Sequence, residues 1–192
     1  MTTIIHPTAC VDESARIADG CKIWHFCNVQ KNASLGEGCV LGQNVNVGPG
    51  VTIGKNCKIQ NNVSIYEGVI LEDDVFCGPS MVFTNVLNPR SHVSRRGEFL
   101  PTVVRRGATL GANCTIVCGL EIAPYTLVGA GAVVTRSTEA CGLYVGNPAR
   151  WRGFVCECGE LLGTIADGTP EITCPRCSQS YLRVAPHKIQ AK

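Results

Sequence analysis

Aliphatic side chains recur at every sixth position over most of this chain. The series runs from Ile5 to Phe83, breaks, and resumes from Val104 to Val134, and 18 of its 20 members are Ile, Leu or Val. An α-helix cannot produce this spacing, because it returns to one face every 3.6 residues. Three residues after each member, Gly, Asn or Asp fills 13 of 20 positions, and these types tolerate a positive φ. The pattern therefore predicts a solenoid of short strands joined by tight corners.

Repeats of this kind resemble those of the hexapeptide-repeat proteins, whose fold is a left-handed parallel β-helix with three strands per coil. The left hand is implied by the resemblance, because parallel crossover connections are ordinarily right-handed. With three hexads per coil, residues 18 apart stack along the axis, so Cys21, Cys39 and Cys57 form one inward column. We expect an all-β fold with a β-helix over residues 1–153, an inserted loop and a Cys-rich appendage over residues 154–192.

Composition limits the compartment and the partners. Apolar residues make up 45% of the chain, the net charge is +2, and Lys and Arg are scattered, so we expect no nucleic-acid partner. The first residues lack a basic segment followed by an apolar one, and no apolar run approaches the roughly 20 residues of a membrane helix. We therefore expect no membrane association, and evenly spaced thiols indicate a cytoplasmic location.

The repeat fails over residues 84–103, and this segment predicts a loop. Loops longer than about 12–15 residues are usually functional or disordered. Arg90, His92 and Phe99 are more than a spacer needs, so we expect an excursion that reaches a neighbouring subunit and walls off a site. A tolerated surface insertion remains the alternative.

Polar side chains stack along the corners below this loop. A step of 18 aligns His25 with Gln43, and Asn44 with Asn62, while Asn85 falls one coil above Glu67. We expect these side chains to form one polar edge that leads to the loop. Asn ladders at corners can also be purely structural, so function is favoured most for His25 and Asn85.

Four segments make the resemblance more specific. Residues 58–66, 76–90, 107–119 and 145–150 resemble bacterial hexapeptide-repeat sugar N-acetyltransferases. The resemblance implies a homotrimer with active sites between subunits. It also implies transfer of an acetyl group from acetyl-CoA to the 3-amino group of a UDP-linked 3-amino-2-acetamido glucuronate, for lipopolysaccharide O-antigen synthesis.

The resemblance also assigns roles to individual residues. Asn85 is expected to orient the attacking amine, and His25 is the competing general base, since His titrates near neutral pH. The residues expected to bind the nucleotide sugar are Gln43, Asn44, Asn62, Tyr66, Glu67, Thr84 and Arg90. The residues expected to bind the CoA moiety are Gly111, Ala112, Ala130, Gly131, Arg136 and Arg150.

Two cysteine pairs mark the appendage. Cys156 and Cys158 are followed by Cys174 and Cys177, a spacing that resembles a zinc ribbon, in which four thiolates hold the metal. One residue separates the first pair, where ribbons have two, so a degenerate ribbon that only packs on a neighbour is the alternative.

Two other functions stay open. The acceptor could be a different nucleotide sugar, with a 3- or 4-amino group and a UDP or dTDP carrier. The alternative outside the enzymes is a non-catalytic solenoid scaffold whose tail binds a partner.

Overall fold

The solenoid is built from strands of two or three residues. A computed structural model describes residues 2–95, 97–164 and 170–192, and within these ranges all regular secondary structure is β. The described residues include no helix long and apolar enough to cross a membrane.

Three parallel sheets form the flat faces of the solenoid. Sheet A begins with strands β1 (Ile4–Ile5), β4 (Lys22–Ile23), β7 (Val40–Leu41), β10 (Lys58–Ile59), β13 (Phe76–Cys77), β16 (Thr109–Leu110) and β19 (Leu127–Val128). Sheet B contains β2 (Cys10–Val11), β5 (Asn28–Val29), β8 (Asn46–Val47), β11 (Ser64–Ile65), β14 (Val82–Phe83), β17 (Thr115–Ile116) and β20 (Val133–Val134). Sheet C contains β3 (Arg16–Ile17), β6 (Ser34–Leu35), β9 (Thr52–Ile53), β12 (Val69–Leu71), β15 (Thr102–Val104) and β18 (Glu121–Ile122).

The strand register confirms the expected coil. Lys22 pairs with Val40, 18 residues later, and Val82 pairs with Thr115 because the inserted loop is skipped. Strand β15 begins at Thr102, so the loop ends two residues before its predicted end at residue 103, because β15 pairs over three residues with β12. The arrangement is the left-handed β-helix that the resemblance to hexapeptide-repeat proteins implies.

The core confirms the inward column of thiols. Cys21, Cys39 and Cys57 are buried and each donates from Sγ to a carbonyl oxygen of the following coil, at 3.2, 2.9 and 3.0 Å respectively. Burial raises the pKa of Cys114 to about 12 and also raises that of Cys77. Cys77 and Cys114 are therefore neutral, while Cys21, Cys39 and Cys57 satisfy corner carbonyls as well as fill space.

Positive φ angles mark the corners, as the Gly and Asn positions predict. Asn44 and Asn62 have φ of 59° and 63°. Phe26, Ser80 and Tyr125 also have positive φ, of 57°, 58° and 54°. Because L residues other than Gly, Asn and Asp rarely adopt this conformation, the coil geometry imposes it at these three positions.

The C-terminal segment begins as an extension of the solenoid. Sheet A continues through β21 (Gly142–Val145), β22 (Arg150–Val155) and β23 (Leu161–Gly163), and β22 runs through residue 153, the expected boundary. A separate antiparallel sheet contains β24 (Glu171–Thr173), β25 (Ser180–Ala185) and β26 (Lys188–Ala191). The last coil is closed, with Val134 1% exposed, whereas Ile5 in the first coil is 44% exposed.

Candidate active site on two corners of the solenoid

The sugar- and CoA-binding residues predicted from the sequence, except Arg150, lie on two different corners. We name corner AB the turn from sheet A to sheet B, corner BC the turn from sheet B to sheet C, and corner CA the third. Corner AB carries His25, Gln43, Asn44, Asn62, Gly111, Ala112, Ala130 and Gly131. Corner BC carries Tyr66, Glu67, Thr84, Asn85, Arg90 and Arg136.

This division corrects the single polar edge expected from the sequence. Asn62 and Tyr66 belong to one coil but stand at opposite ends of strand β11. The chain advances by four residues between them, and in extended conformation this step separates their backbones by roughly 13 Å. Stacking by 18 aligns residues along a corner, but it does not bring neighbouring corners together.

The amides of corner AB bond one another along the axis. Asn44 Nδ2 donates to Asn62 Oδ1 at 3.2 Å, and the Gln43 backbone N–H donates to Asn61 Oδ1 at 2.9 Å. Gln43, Asn44 and Asn62 are exposed. This ladder has a structural role, while its outer edge stays open to a ligand.

An aromatic patch lies at the N-terminal end of corner AB. The His25 ring stacks on the His6 ring with centroids 3.6 Å apart, and Trp24 lies beside it with centroids at 6.3 Å. Trp24 and Phe26 are 40% and 60% exposed. The sequence analysis missed His6, although it lies 19 residues before His25 and so one position off the stacking step.

Small residues continue corner AB at the other end. A Cβ on Gly111 would lie 2.6 Å from the backbone N of Ala130, so packing between coils explains this glycine. At Gly131 φ is +69° and a Cβ would meet nothing within 4 Å. Ala130 and Gly131 therefore present a low, open surface on which an elongated ligand can lie close to the backbone.

Asn85 stands at the root of the loop on corner BC. Its carbonyl oxygen accepts from the Leu100 N–H at 3.0 Å, which brings the two ends of the loop together. The preceding Thr84 accepts from the Cys118 N–H at 2.9 Å through Oγ1. The Asn85 side chain is half-buried and makes no hydrogen bond within the described part of the chain. It is thus held in place by its backbone while its amide is available.

The loop carries its polar groups outward. Arg90 is exposed, bonds the Pro89 carbonyl oxygen at 3.1 Å and forms an isolated bridge with Val93. Arg95 pairs with Glu98 at 2.7 Å. Tyr66, one coil below the loop root, is 41% exposed, and Glu67 beside it is also exposed. Arg90 is not bound by an acidic side chain in the described residues, so its guanidinium is available for an anion.

The two arginines expected at CoA stand apart from the small residues of corner AB. Arg136 follows strand β20 on corner BC, and Arg150 opens strand β22 beyond the last coil. Both are exposed, and Arg150 Nη1 donates to the Ala149 carbonyl oxygen at 3.0 Å.

Corner CA has a different chemistry. Several of its charged side chains pair with each other: Lys55 with Glu37 at 2.9 Å and Arg106 with Asp74 at 3.3 Å. Arg105 bridges Glu72 and Glu121. Exposed pairs of this kind stabilise little, and none of the predicted site residues lies on this corner.

The four cysteines of the appendage converge. The Sγ atoms of Cys156, Cys158, Cys174 and Cys177 all lie within 4.8 Å of one another. Cys156 is 3.5 Å from Cys177 and Cys158 is 3.7 Å from Cys174, measured between Sγ atoms.

Two repeat families match the N-terminal half of the solenoid. Residues 14–49 match the bacterial transferase hexapeptide (six repeats), and residues 32–67 match the hexapeptide repeat of succinyl-transferase. Together with the structure, these matches show the fold: the protein is a left-handed β-helix built of hexapeptide repeats.

One relative of known activity matches part of the sequence. Over 65 residues the chain is 49% identical to the dTDP-3-amino-3,6-dideoxy-α-D-galactopyranose 3-N-acetyltransferase of Aneurinibacillus thermoaerophilus. The match covers 34% of this chain and 34% of the relative. The chain therefore aligns with about a third of the length of the curated relative it matches.

Solved structures share the fold. The acetyltransferase domain of PglB from Neisseria gonorrhoeae superposes with a TM-score of 0.56 at 17% identity, over 78% of this chain and 57% of that one. A hexapeptide-repeat acetyltransferase of Vibrio cholerae, complexed with acetyl-CoA, superposes with a TM-score of 0.55 at 24% identity, over 62% of this chain and 69% of that one.

Proposed function

We propose that this protein transfers an acetyl group from acetyl-CoA to an amino group of a nucleotide-linked sugar. The observation that carries the proposal is the 65-residue stretch at 49% identity to an enzyme that acetylates the 3-amino group of a dTDP-linked sugar. The structure supports it with an available amide at Asn85 and an open run of small residues at Ala130 and Gly131.

The chemistry requires an unprotonated amine close to a thioester. The amine nitrogen attacks the carbonyl carbon of acetyl-CoA, the C–S bond breaks, and the departing thiolate takes the proton lost by the amine. The carbonyl oxygen of the Asn85 amide accepts from the amine and directs its lone pair, and positioning of this kind can lower a barrier by about 7–11 kcal/mol. His25 is the alternative base, but it lies on the other corner of the same chain.

The acceptor we favour is UDP-linked 3-amino-2-acetamido glucuronate. The exposed guanidinium of Arg90 suits its carboxylate, because a planar fork binds a carboxylate through two parallel hydrogen bonds. A dTDP-linked 3-amino sugar without a carboxylate is the second candidate, and the curated relative favours it. Both are 3-amino sugars on a pyrimidine nucleotide, and Gln43, Asn44 and Asn62 offer amides for their hydroxyl groups.

Corners AB and BC complete one site only across an interface between copies. Within one chain they face away from each other, so Asn85 cannot reach a ligand that lies on Ala130. The division of the site between two corners supports a homotrimer with three shared sites, in which corner BC of one copy lies beside corner AB of the next. Such an enzyme works in the cytoplasm, where acetyl-CoA is made, and supplies a sugar for lipopolysaccharide.

The test follows release of the CoA thiol with a disulfide reagent. The purified full chain is mixed with acetyl-CoA and, in separate reactions, the UDP-linked amino glucuronate and the dTDP-linked 3-amino galactose. We expect turnover with the first acceptor. Asn85→Ala should lower kcat by at least about 100-fold, and His25→Ala by less than about 10-fold.

Other assay results would change the acceptor, the catalytic residue or the class of function. Turnover with the dTDP sugar alone would replace the acceptor but keep the reaction class. An inactive His25→Ala beside an active Asn85→Ala would identify His25 as the base. If wild type releases no thiol with any 3- or 4-amino nucleotide sugar and acetyl-CoA does not raise its Tm, the scaffold function is correct instead.

A further inference from the structure

We propose that Cys156, Cys158, Cys174 and Cys177 bind one structural zinc ion, which fixes the C-terminal segment as a cap on the last coil of the solenoid. The four Sγ atoms lie within 4.8 Å of one another, and the two shortest separations are 3.5 and 3.7 Å. Sulfur atoms at the corners of a tetrahedron with Zn–S bonds of about 2.3 Å are about 3.8 Å apart. The separations exceed the roughly 2.05 Å of a disulfide bond.

The backbone around each pair is turned so that both thiols of the pair point to one place. In the first pair the Gly159 N–H donates to the Cys156 carbonyl oxygen at 2.8 Å, with φ of 90° at Gly159. In the second pair the Ser178 N–H donates to the Cys174 carbonyl oxygen at 3.0 Å, with φ of 63° at Ser178. These closed turns let the one-residue spacing of the first pair present both sulfurs.

A buried tyrosine hydroxyl lies within hydrogen-bond distance of one sulfur of the cluster. Tyr181 is 0% exposed, and its Oη lies 3.1 Å from Cys156 Sγ and 3.0 Å from the Glu157 N–H. Since Oη accepts from that N–H, its own proton is free to point at the sulfur. A hydroxyl that donates to a ligand sulfur is the outer-shell contact that metal thiolates commonly have.

The cluster is continuous with the closed end of the solenoid. Cys156 and Tyr181 pack in one apolar group with Cys141, Phe154 and Tyr125, and the Val155 N–H donates to the Cys141 carbonyl oxygen at 2.7 Å. Zinc has no redox chemistry and no preferred geometry beyond the tetrahedral one, which suits a site whose role is to hold strands together. Loss of the ion is expected to free residues 156–192 and expose the last coil.

The experiment compares Cys158→Ser with Cys10→Ser in the full chain. Both thiols are exposed, but Cys10 lies on sheet B far from the cluster. After expression with zinc and gel filtration, wild type and Cys10→Ser should each carry about one zinc per chain, and Cys158→Ser less than a fifth of that. The Tm of Cys158→Ser should fall by at least about 5 °C, and protease should cut its residues 156–192 first.

Cobalt exchange into wild type keeps the test independent of how the variant folds. Four thiolates around Co²⁺ give an intense sulfur-to-metal charge-transfer band and visible d–d bands, and added zinc should bleach them. Wild type without metal and without these cobalt bands would refute the site. Iron in place of zinc, or equal zinc in Cys10→Ser and Cys158→Ser, would refute the proposal as stated. The acetyl-transfer assay is independent of each of these readouts.

Discussion

Gly111 and Gly131 lie on the same corner, but they lack side chains for different reasons. A Cβ at Gly111 would collide with the backbone of the next coil, 2.6 Å from Ala130 N, whereas one at Gly131 would enter open space. The sequence predicts a close backbone approach by CoA at both glycines. The structure gives only Gly131 an exposed face on which that approach can happen.

An alanine substitution at each glycine distinguishes an effect on packing between coils from an effect on ligand binding. Gly111→Ala should lose about 2–3 kcal/mol of unfolding free energy without any ligand, because the coils must move apart. Gly131→Ala should lose about 1–2 kcal/mol, for its positive φ, and raise the KM for acetyl-CoA. Denaturant unfolding and steady-state kinetics measure the two effects. Equal losses of stability, with no change in KM for Gly131→Ala, would contradict this assignment.

Sequence alone identifies most inward and corner positions of the solenoid. The hexad series predicts Ile23, Leu41 and Ile59, all buried, because one aliphatic position recurs in every coil. It does not predict the positive φ of Phe26 and Tyr125, because neither side chain favours that conformation. The position in the coil determines φ there, and residue type gives no signal.

The loop over residues 84–101 is the element that departs most from the repeat. Its two ends meet where the Leu100 N–H donates to the Asn85 carbonyl oxygen, and Leu100 packs within reach of Gly119. The solenoid register continues across it from Val82 to Thr115. The sequence shows where the repeat breaks, but it cannot show that the chain leaves and re-enters the coil at adjacent points.

Because its ends are adjacent, the loop can be removed without breaking a coil. Replacing residues 86–99 by Asn-Gly, a sequence that favours a tight two-residue turn, should leave circular dichroism unchanged and the Tm within about 5 °C of wild type. Acetyl transfer should be lost, because Arg90 and the wall of the site are gone. A matched control, Arg95→Ala with its partner change Glu98→Ala, should keep most activity. Full activity in the shortened chain would show that the loop is a tolerated insertion.

At the scale of the whole molecule, the candidate site is divided between two corners of one chain. The step of 18 predicts which residues stack along each corner. The sequence does not distinguish corner AB from corner BC, because residues such as Asn62 and Tyr66 are only four positions apart in the chain. Their separation follows from the width of sheet B, which only the folded coil shows. In the homotrimer that we propose, assembly brings the two halves together.

Mixing two inactive subunits tests whether the site is shared. Asn85→Ala disables corner BC, and Ala130→Trp blocks the open surface of corner AB, so each variant alone should be inactive. In trimers assembled at random from equal amounts of both, about one site in four pairs an intact corner BC with an intact corner AB of the next copy. Thiol release by co-expressed variants should therefore recover to about a quarter of the wild-type rate. If each chain held a complete site, no chain in the mixture would have both corners intact and the rate would stay at background. Recovery would also establish the oligomer, because monomers cannot complement each other.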